Sequence, residues 1–154
     1  MKVLNSWGII LLLALLDQAS KVLVLRFIPF QESIPIVPGF FNLTHVYNTG
    51  AAFGMLHDSN LFFIVVSSVA FVGLVAMRRH FEGTLMRWGW MLLLAGIIGN
   101  VSDRLRLGHV VDFLDFQIGS YHWPSFNVAD SCSCIAAGLF LLGSFSSGEK
   151  LDTR

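Results

Sequence analysis

The segment LFFIVVSSVAFVGLVAM, residues 61–77, runs its whole length without a charge. A stretch this long and apolar has few structural options. In lipid the backbone finds no water, so each amide must be satisfied by a helix or a closed barrel. A helix of about 20 residues crosses a hydrocarbon core of about 30 Å. Three further windows fit loosely, at about 5–25, 85–103 and 127–145. The chain is 55% hydrophobic and 13% charged, with a mean hydropathy of +0.68, which is high for a water-soluble domain of this size. The expected fold is an all-α integral membrane protein with four transmembrane helices, a single membrane domain over 1–154.

The first window begins like a secretory signal, with Lys2 ahead of the apolar run Gly8–Leu16. Asp17 and Lys21 interrupt it and no small-x-small cleavage site follows, so an uncleaved first span is expected. Between the second and third windows, Arg78, Arg79 and Arg87 face one acid, Glu82. The excess of basic residues places that hairpin in the cytoplasm, and four spans then put both termini there as well. This orientation gives the polar residues a depth. Asp17 and Lys21 fall toward the outer end of span one, Asn100 and Asp103 at the outer end of span three. Asp130 falls in the first, outer turn of span four, and Asp112 and Asp115 in the outer connection. All converge near one membrane surface.

The two outer connections, about 26–60 and 104–126, are too patterned for bare loops. Pro29, Pro35 and Pro38 exclude a helix from the first part. Phe41–Tyr47 then alternates after a Pro38-Gly39 turn, with Phe41, Leu43 and Tyr47 on one side. A small antiparallel sheet at the interface follows, and Ala51–Leu56 suits a short interfacial helix. In the second connection, two short arms flank Gly119-Ser120 as in a hairpin, and Tyr121 and Trp123 suit the headgroup region. The pieces form an outer β-platform beside the bundle.

Each polar residue has a plain reading beside a functional one. Asp17 and Lys21, at i and i+4, share a helix face. They are either an ion pair that makes the span tolerable in lipid or part of a site, and intramembrane charges usually face the bundle interior. Asn100 and Asp103 also share a face, and Asp103 with Arg104 reads as a network capping the span. Asn48-Thr-Gly50 reads alone as a turn. Asp130 reads alone as a helix-start acid favoured by the dipole. Asp112 sits between Val111 and Phe113 with no adjacent cation, whereas Asp115 reads as a solvated bystander. Two carboxyls brought together cannot both ionise easily, so one stays protonated beside a charged partner and the pair supplies an acid and a base.

Other chemistries find little support. Net charge is zero and no basic run interleaves with aromatics, so nucleic acid is not an expected partner. Cys132 and Cys134, two apart on a helix, point to different faces and are expected to be small buried hydrophobes. Gly-x-Ser-x-Gly and His-Glu-x-x-His are both absent. No metal or cofactor is expected.

Five blocks, DQASK (17–21), NTGAAFG (48–54), GNVSDR (99–104), VVDF (110–113) and FNVADS (126–131), resemble in order those of bacterial lipoprotein signal peptidase, or signal peptidase II. The resemblance implies an aspartyl endopeptidase of the bacterial cytoplasmic (inner) membrane. It would remove the signal peptide from diacylglyceryl-modified prolipoproteins, cleaving before the lipidated lipobox cysteine, with its active site near the outer face. Carried over by motif, the catalytic pair is Asp112 and Asp130. Asp17, Lys21, Asn48, Gly50, Asn100, Asp103, Arg104 and Asn127 match positions that shape the site or hold substrate. The family's outer β-cradle agrees with the sheet expected from 26–47. Asp103 also belongs to a block and competes for the place of Asp112. Its neighbours Arg104 and Asn100 favour a bracing role. The expected partners are prolipoprotein substrates and membrane lipid, with the chain a monomer. The rivals are a small proton-coupled transporter using the same carboxylates and a non-catalytic assembly subunit.

Overall fold

The computed structural model describes residues 3–50 and 59–148. The interfacial helix expected at Ala51–Leu56 lies outside the described residues. Four α-helices and four strands alternate along the chain: α1 Val3–Phe27, β1 Ser33–Val37, β2 Phe41–Asn48, α2 Asn60–Ala76, α3 Thr84–Leu107, β3 Val110–Ile118, β4 Tyr121–His122 and α4 Val128–Gly148. A 3-10 turn, Arg78–His80, follows α2.

The helices fall where the apolar windows predict. Asn5–Phe27 of α1, Thr84–Leu107 of α3 and Val128–Phe145 of α4 are long and apolar enough to cross a membrane. The charge-free α2 is shorter at 17 residues, and none of them is buried. Its side chains, like those along one side of α1, present large apolar surface outward, Leu61 being 74% exposed. Such a surface suits lipid, where apolar side chains need no cover.

Helix α3 packs against the other three helices. It approaches α4 closely because it carries glycine at the contact. A Cβ on Gly96 would meet the Ser133 hydroxyl and the Ala129 carbonyl oxygen, and one on Gly99 would meet the Asp17 carboxylate. Small residues of this kind let helix backbones pack tightly where no hydrophobic effect drives association. One apolar cluster, Ile10 with Trp90, Met91, Leu94 and Ala95, joins α1 to α3. A second, Val24 and Ile28 with Val111 and Phe113, seats the sheet on the end of α1. Cys132 is buried in the bundle, but Cys134, expected to be buried as well, is exposed. The i, i+2 offset that separates the two faces sends it outward.

The two outer connections build one antiparallel sheet, ordered β1-β2-β3-β4. Gly39 and Gly119 take the positive φ their turns require, 76° and 62°. The junction of β2 with β3 pairs Leu43 with Leu114 and Val46 with Asp112. Three steps along β2 therefore match two along β3, a bulge that inserts one extra residue. Its effect on side-chain direction overturns the simple alternation. Leu43 and Val46 share a face, Tyr47 points to the other, and Asn48 joins the face of Asp112. On the far face Asn42 pairs with Asp115. Asp115 is thus no solvated bystander: it is buried, accepting from Asn42 Nδ2 at 2.8 Å and lying 2.9 Å from His122 Nδ1.

Gly96→Ala should lower stability by about 1–3 kcal/mol, because the backbone oxygen of Ala129 cannot retreat as a side chain can. Gly138, where an added Cβ meets nothing within 4 Å, is the matched control. Thermal unfolding in detergent should separate the two, and equal melting temperatures would refute the close contact.

Candidate active site

The polar residues picked from the sequence are brought together by five elements. Helix α1 supplies Asp17 and Lys21, and β2 ends in Asn48. Helix α3 supplies Asn100, Asp103 and Arg104, β3 supplies Asp112, and α4 with its preceding residue supplies Asn127 and Asp130. Their side chains form a connected network in two layers.

The inner layer centres on the Lys21 ammonium, which is fully buried. It lies 2.9 Å from Asp17 Oδ2 and 2.8 Å from Asp103 Oδ2, and donates to Asn100 Oδ1 at 3.1 Å. Those three contacts match the three protons of an ammonium. The carboxylates in turn bind backbone. Asp17 Oδ1 accepts from the Ala129 N–H at 2.8 Å, and Asp103 Oδ2 from the Val111 N–H at 3.3 Å. The ion pair read at 17 and 21 is therefore also a clamp on the starts of α4 and β3. Gln18, not singled out in the sequence, bridges Asp103 Oδ1 at 2.9 Å and the Gly99 carbonyl at 3.1 Å. Its only sequence signal is an uncharged polar residue beside Asp17 in an apolar helix.

The Asp103–Arg104 network is not formed. Neighbours on a helix diverge by about 100°, so Asp103 pairs with Lys21 and, at 3.6 Å, with Arg106. Arg104 instead donates from Nη2 to the Gly50 carbonyl at 3.2 Å, with its guanidinium 4.9 Å from the Phe63 ring centre. Gly50 also donates its N–H to Asn48 Oδ1 at 3.0 Å, the local turn that the Asn-x-Gly spacing suggests.

The outer layer holds the two remaining aspartates in a cradle of amides. Asp112 Oδ1 accepts from Asn127 Nδ2 at 2.7 Å and Oδ2 from Asn48 Nδ2 at 2.9 Å. Asp130 Oδ1 accepts from Asn100 Nδ2 at 2.8 Å and Oδ2 from the Asn127 N–H at 3.2 Å. The Asp130 N–H in turn donates to Asn127 Oδ1 at 2.9 Å. This is the reciprocal arrangement of a capping box, so the start of α4 fixes Asp130 in place. Asn127 thereby touches both aspartates. Neither Lys21 nor Arg104 contacts them directly.

Burial, reinforced by the charge of Asp130, pushes the Asp112 carboxyl up to about 7, against the hydrogen bonds from Asn48 and Asn127 and the more distant charge of Lys21. Near neutral pH it is poised between acid and base. His109, immediately before β3, is held below the usual histidine range by burial and lies against Tyr47 with ring centres 3.8 Å apart. Among the described residues, no three His, Cys, Asp or Glu side chains are grouped to hold a metal ion.

Comparison with known proteins gives this geometry a context. The sequence profile of the family described as signal peptidase (SPase) II matches residues 9–146. The lipoprotein signal peptidase of Syntrophotalea carbinolica is 44% identical over 154 positions, spanning 94% of this chain and 96% of that protein. That of Aeromonas hydrophila is 45% identical over 144 positions, spanning 89% and 86%. A solved structure described as a bacterial membrane enzyme superposes with a TM-score of 0.89 at 30% identity, covering 96% of this chain and 92% of that one.

Replacing Lys21 with Met would leave Asp17 and Asp103 buried without their shared cation. Breaking a buried pair on one side costs about 3–5 kcal/mol. The melting temperature of Lys21→Met in detergent should fall accordingly, and an unshifted transition would mean that the clamp is not needed for folding.

Proposed function

Because the chain belongs to the signal peptidase (SPase) II family, we propose that it is a membrane aspartyl endopeptidase acting on diacylglyceryl-modified prolipoproteins. It removes the signal peptide by cutting before the lipidated cysteine. One observation supports the aspartyl mechanism above all: Asp112 and Asp130 are bridged by Asn127, and each of their four oxygens accepts an amide N–H.

In this reading α2 is the fourth span, since about 17 residues lies at the short end of the spanning range. The hairpin carrying Arg78, Arg79 and Arg87 faces the cytoplasm with both termini, and the carboxylates lie near the outer surface of the inner membrane. The sheet acts as a cradle at that surface, and the chain works as a monomer. The precursor enters from the bilayer, its acyl chains remaining in lipid.

The chemistry follows from the charge count. Asp17, Asp103, Asp112 and Asp130 set four carboxyls against two buried cations, Lys21 and Arg104. A proton kept on the Asp112–Asp130 pair eases that imbalance. The ionised member takes a proton from water as its oxygen attacks the carbonyl carbon preceding the modified cysteine. The protonated member then gives its proton to the leaving nitrogen as the C–N bond breaks. Asn48, Asn100 and Asn127 hold the pair and are placed to bond the peptide backbone, while Gly50 and Arg104 shape the rim. Asp17, Lys21 and Asp103 brace the floor. Nothing in the placement favours proton transport, because the carboxyls share one network instead of spacing out along the bundle.

Asp112→Asn and Asp130→Asn should each fold and each lose cleavage by roughly 10²–10⁴-fold, the range of general acid–base catalysis. The assay is cleavage of a diacylglyceryl-modified precursor beside an unmodified one, and full activity in either variant would sink the pair. The pH profile carries a second expectation. A carboxyl raised to about 7 is protonated below that pH and loses its proton above it. The value of kcat/KM should therefore fall as pH rises through about 7, and a profile flat across that region would overturn the assignment.

A further inference from the structure

We propose that a cavity at the end of the bundle remote from the carboxylates binds the phosphodiester headgroup of an anionic phospholipid. The cavity measures about 360 Å³ and lies between the start of α1, the turn after α2 and the start of α3. That volume falls within the range of small-molecule sites, roughly 300–1,000 Å³. Ser6, Arg78, Arg79, Phe81, Arg87 and Trp90 line it.

Its charge is the first argument. Three arginines line it with one acid, Glu82, a surplus of two positive charges (3 − 1). Among the described residues none of the three arginines makes an ion pair within 4 Å. The two buried cations of the acidic end behave differently: Lys21 is saturated by its neighbours and Arg104 is engaged by Gly50 and Phe63. Among the described residues no ion pair occupies the donors of the arginines at the cavity. A guanidinium presents paired N–H groups that match two phosphate oxygens at once, and Ser6 adds a hydroxyl donor.

Depth is the second argument. Three of the four tryptophans gather here: Trp90 beneath the cavity, Trp7 edge-on against it at 5.7 Å, and Trp88 on the same first turns of α3. Trp7 and Trp88 are both more than a third exposed, while the indole N–H of Trp90 is spent on the Leu74 carbonyl at 2.8 Å. Exposed tryptophans at the end of a spanning helix mark the headgroup level. A concave basic site at that level meets lipid phosphates before it meets solutes. Assigning it to the cytoplasmic leaflet rests on the orientation proposed above, but the binding itself does not.

The simpler account is that the arginines only orient the hairpin. Orientation requires charge, which lysine supplies equally, whereas phosphate recognition requires the guanidinium fork. The test is native mass spectrometry of the full chain in detergent, offered equal amounts of phosphatidylglycerol, cardiolipin and phosphatidylethanolamine. The anionic lipids should be retained in preference. The triple variant Arg78→Lys, Arg79→Lys, Arg87→Lys keeps the hairpin charge and should lose several-fold of that retention, and the corresponding Gln variant nearly all of it. Retention unchanged in both variants, or equal for phosphatidylethanolamine, would overturn the proposal. Displacement of lipid by inorganic phosphate would also overturn it, by assigning the cavity to a free anion. Retention is read without substrate, so its result stands apart from that of the cleavage assay.

Discussion

A buried ammonium between two buried carboxylates holds this molecule's polar end together. Lys21, Asp17 and Asp103 are each at most 1% exposed. Removing such charges from water costs several kcal/mol per ion, and their mutual attraction offsets this only with close geometry and every remaining lone pair occupied. The geometry is close, and all four carboxylate oxygens have at least one partner. Asp17 accepts from the backbone of α4 through its spare oxygen, Asp103 accepts from that of β3 through the oxygen that also meets Lys21, and the third ammonium proton binds Asn100. The clamp therefore sets the places of two elements that carry the proposed catalytic aspartates while touching neither aspartate.

Keeping the clamp apart from the pair has a chemical consequence. A lysine in direct contact with Asp112 would hold its carboxyl ionised. With the neutral amides of Asn48 and Asn127 as its direct partners among the described residues, burial and the neighbouring Asp130 charge prevail, raising the carboxyl to about 7. Three asparagines thus fix geometry without fixing protonation state. The same division appears along the bundle axis, where Lys21 and Arg104 are buried and engaged at one end and three exposed arginines line the cavity at the other.

Much of this was legible in the sequence because lipid permits so little. Apolar windows had to be helices, and the basic hairpin gave Asp17, Lys21, Asn100, Asp103, Asp112 and Asp130 a shared depth. The ordered blocks around those residues pointed to the family. The features that escaped depend on register, which no local pattern encodes. The pairing of β2 with β3 joins segments more than sixty residues apart. The bulge between Leu43 and Val46 turned Tyr47 away from its expected side. Asp115 looked solvated because its partners, Asn42 and His122, come from other strands. Arg104 is adjacent to Asp103 in sequence but not in space, because successive helix residues point in different directions. Gln18 is neutral and gave no electrostatic reason to be noticed.

The extra residue in β2 sets the parity of everything after it. Counted from Phe41, Asn48 is an even-numbered neighbour that an unbroken strand would turn away from Asp112. A chain lacking one residue between Leu43 and Val46 would keep its helices, its clamp and its apolar clusters. It would offer Asp112 the neighbour of the wrong strand face. Length variation should be tolerated at the Gly119 turn and excluded from this short interval, so this stretch of the sheet works as a spacer whose unit is a single residue.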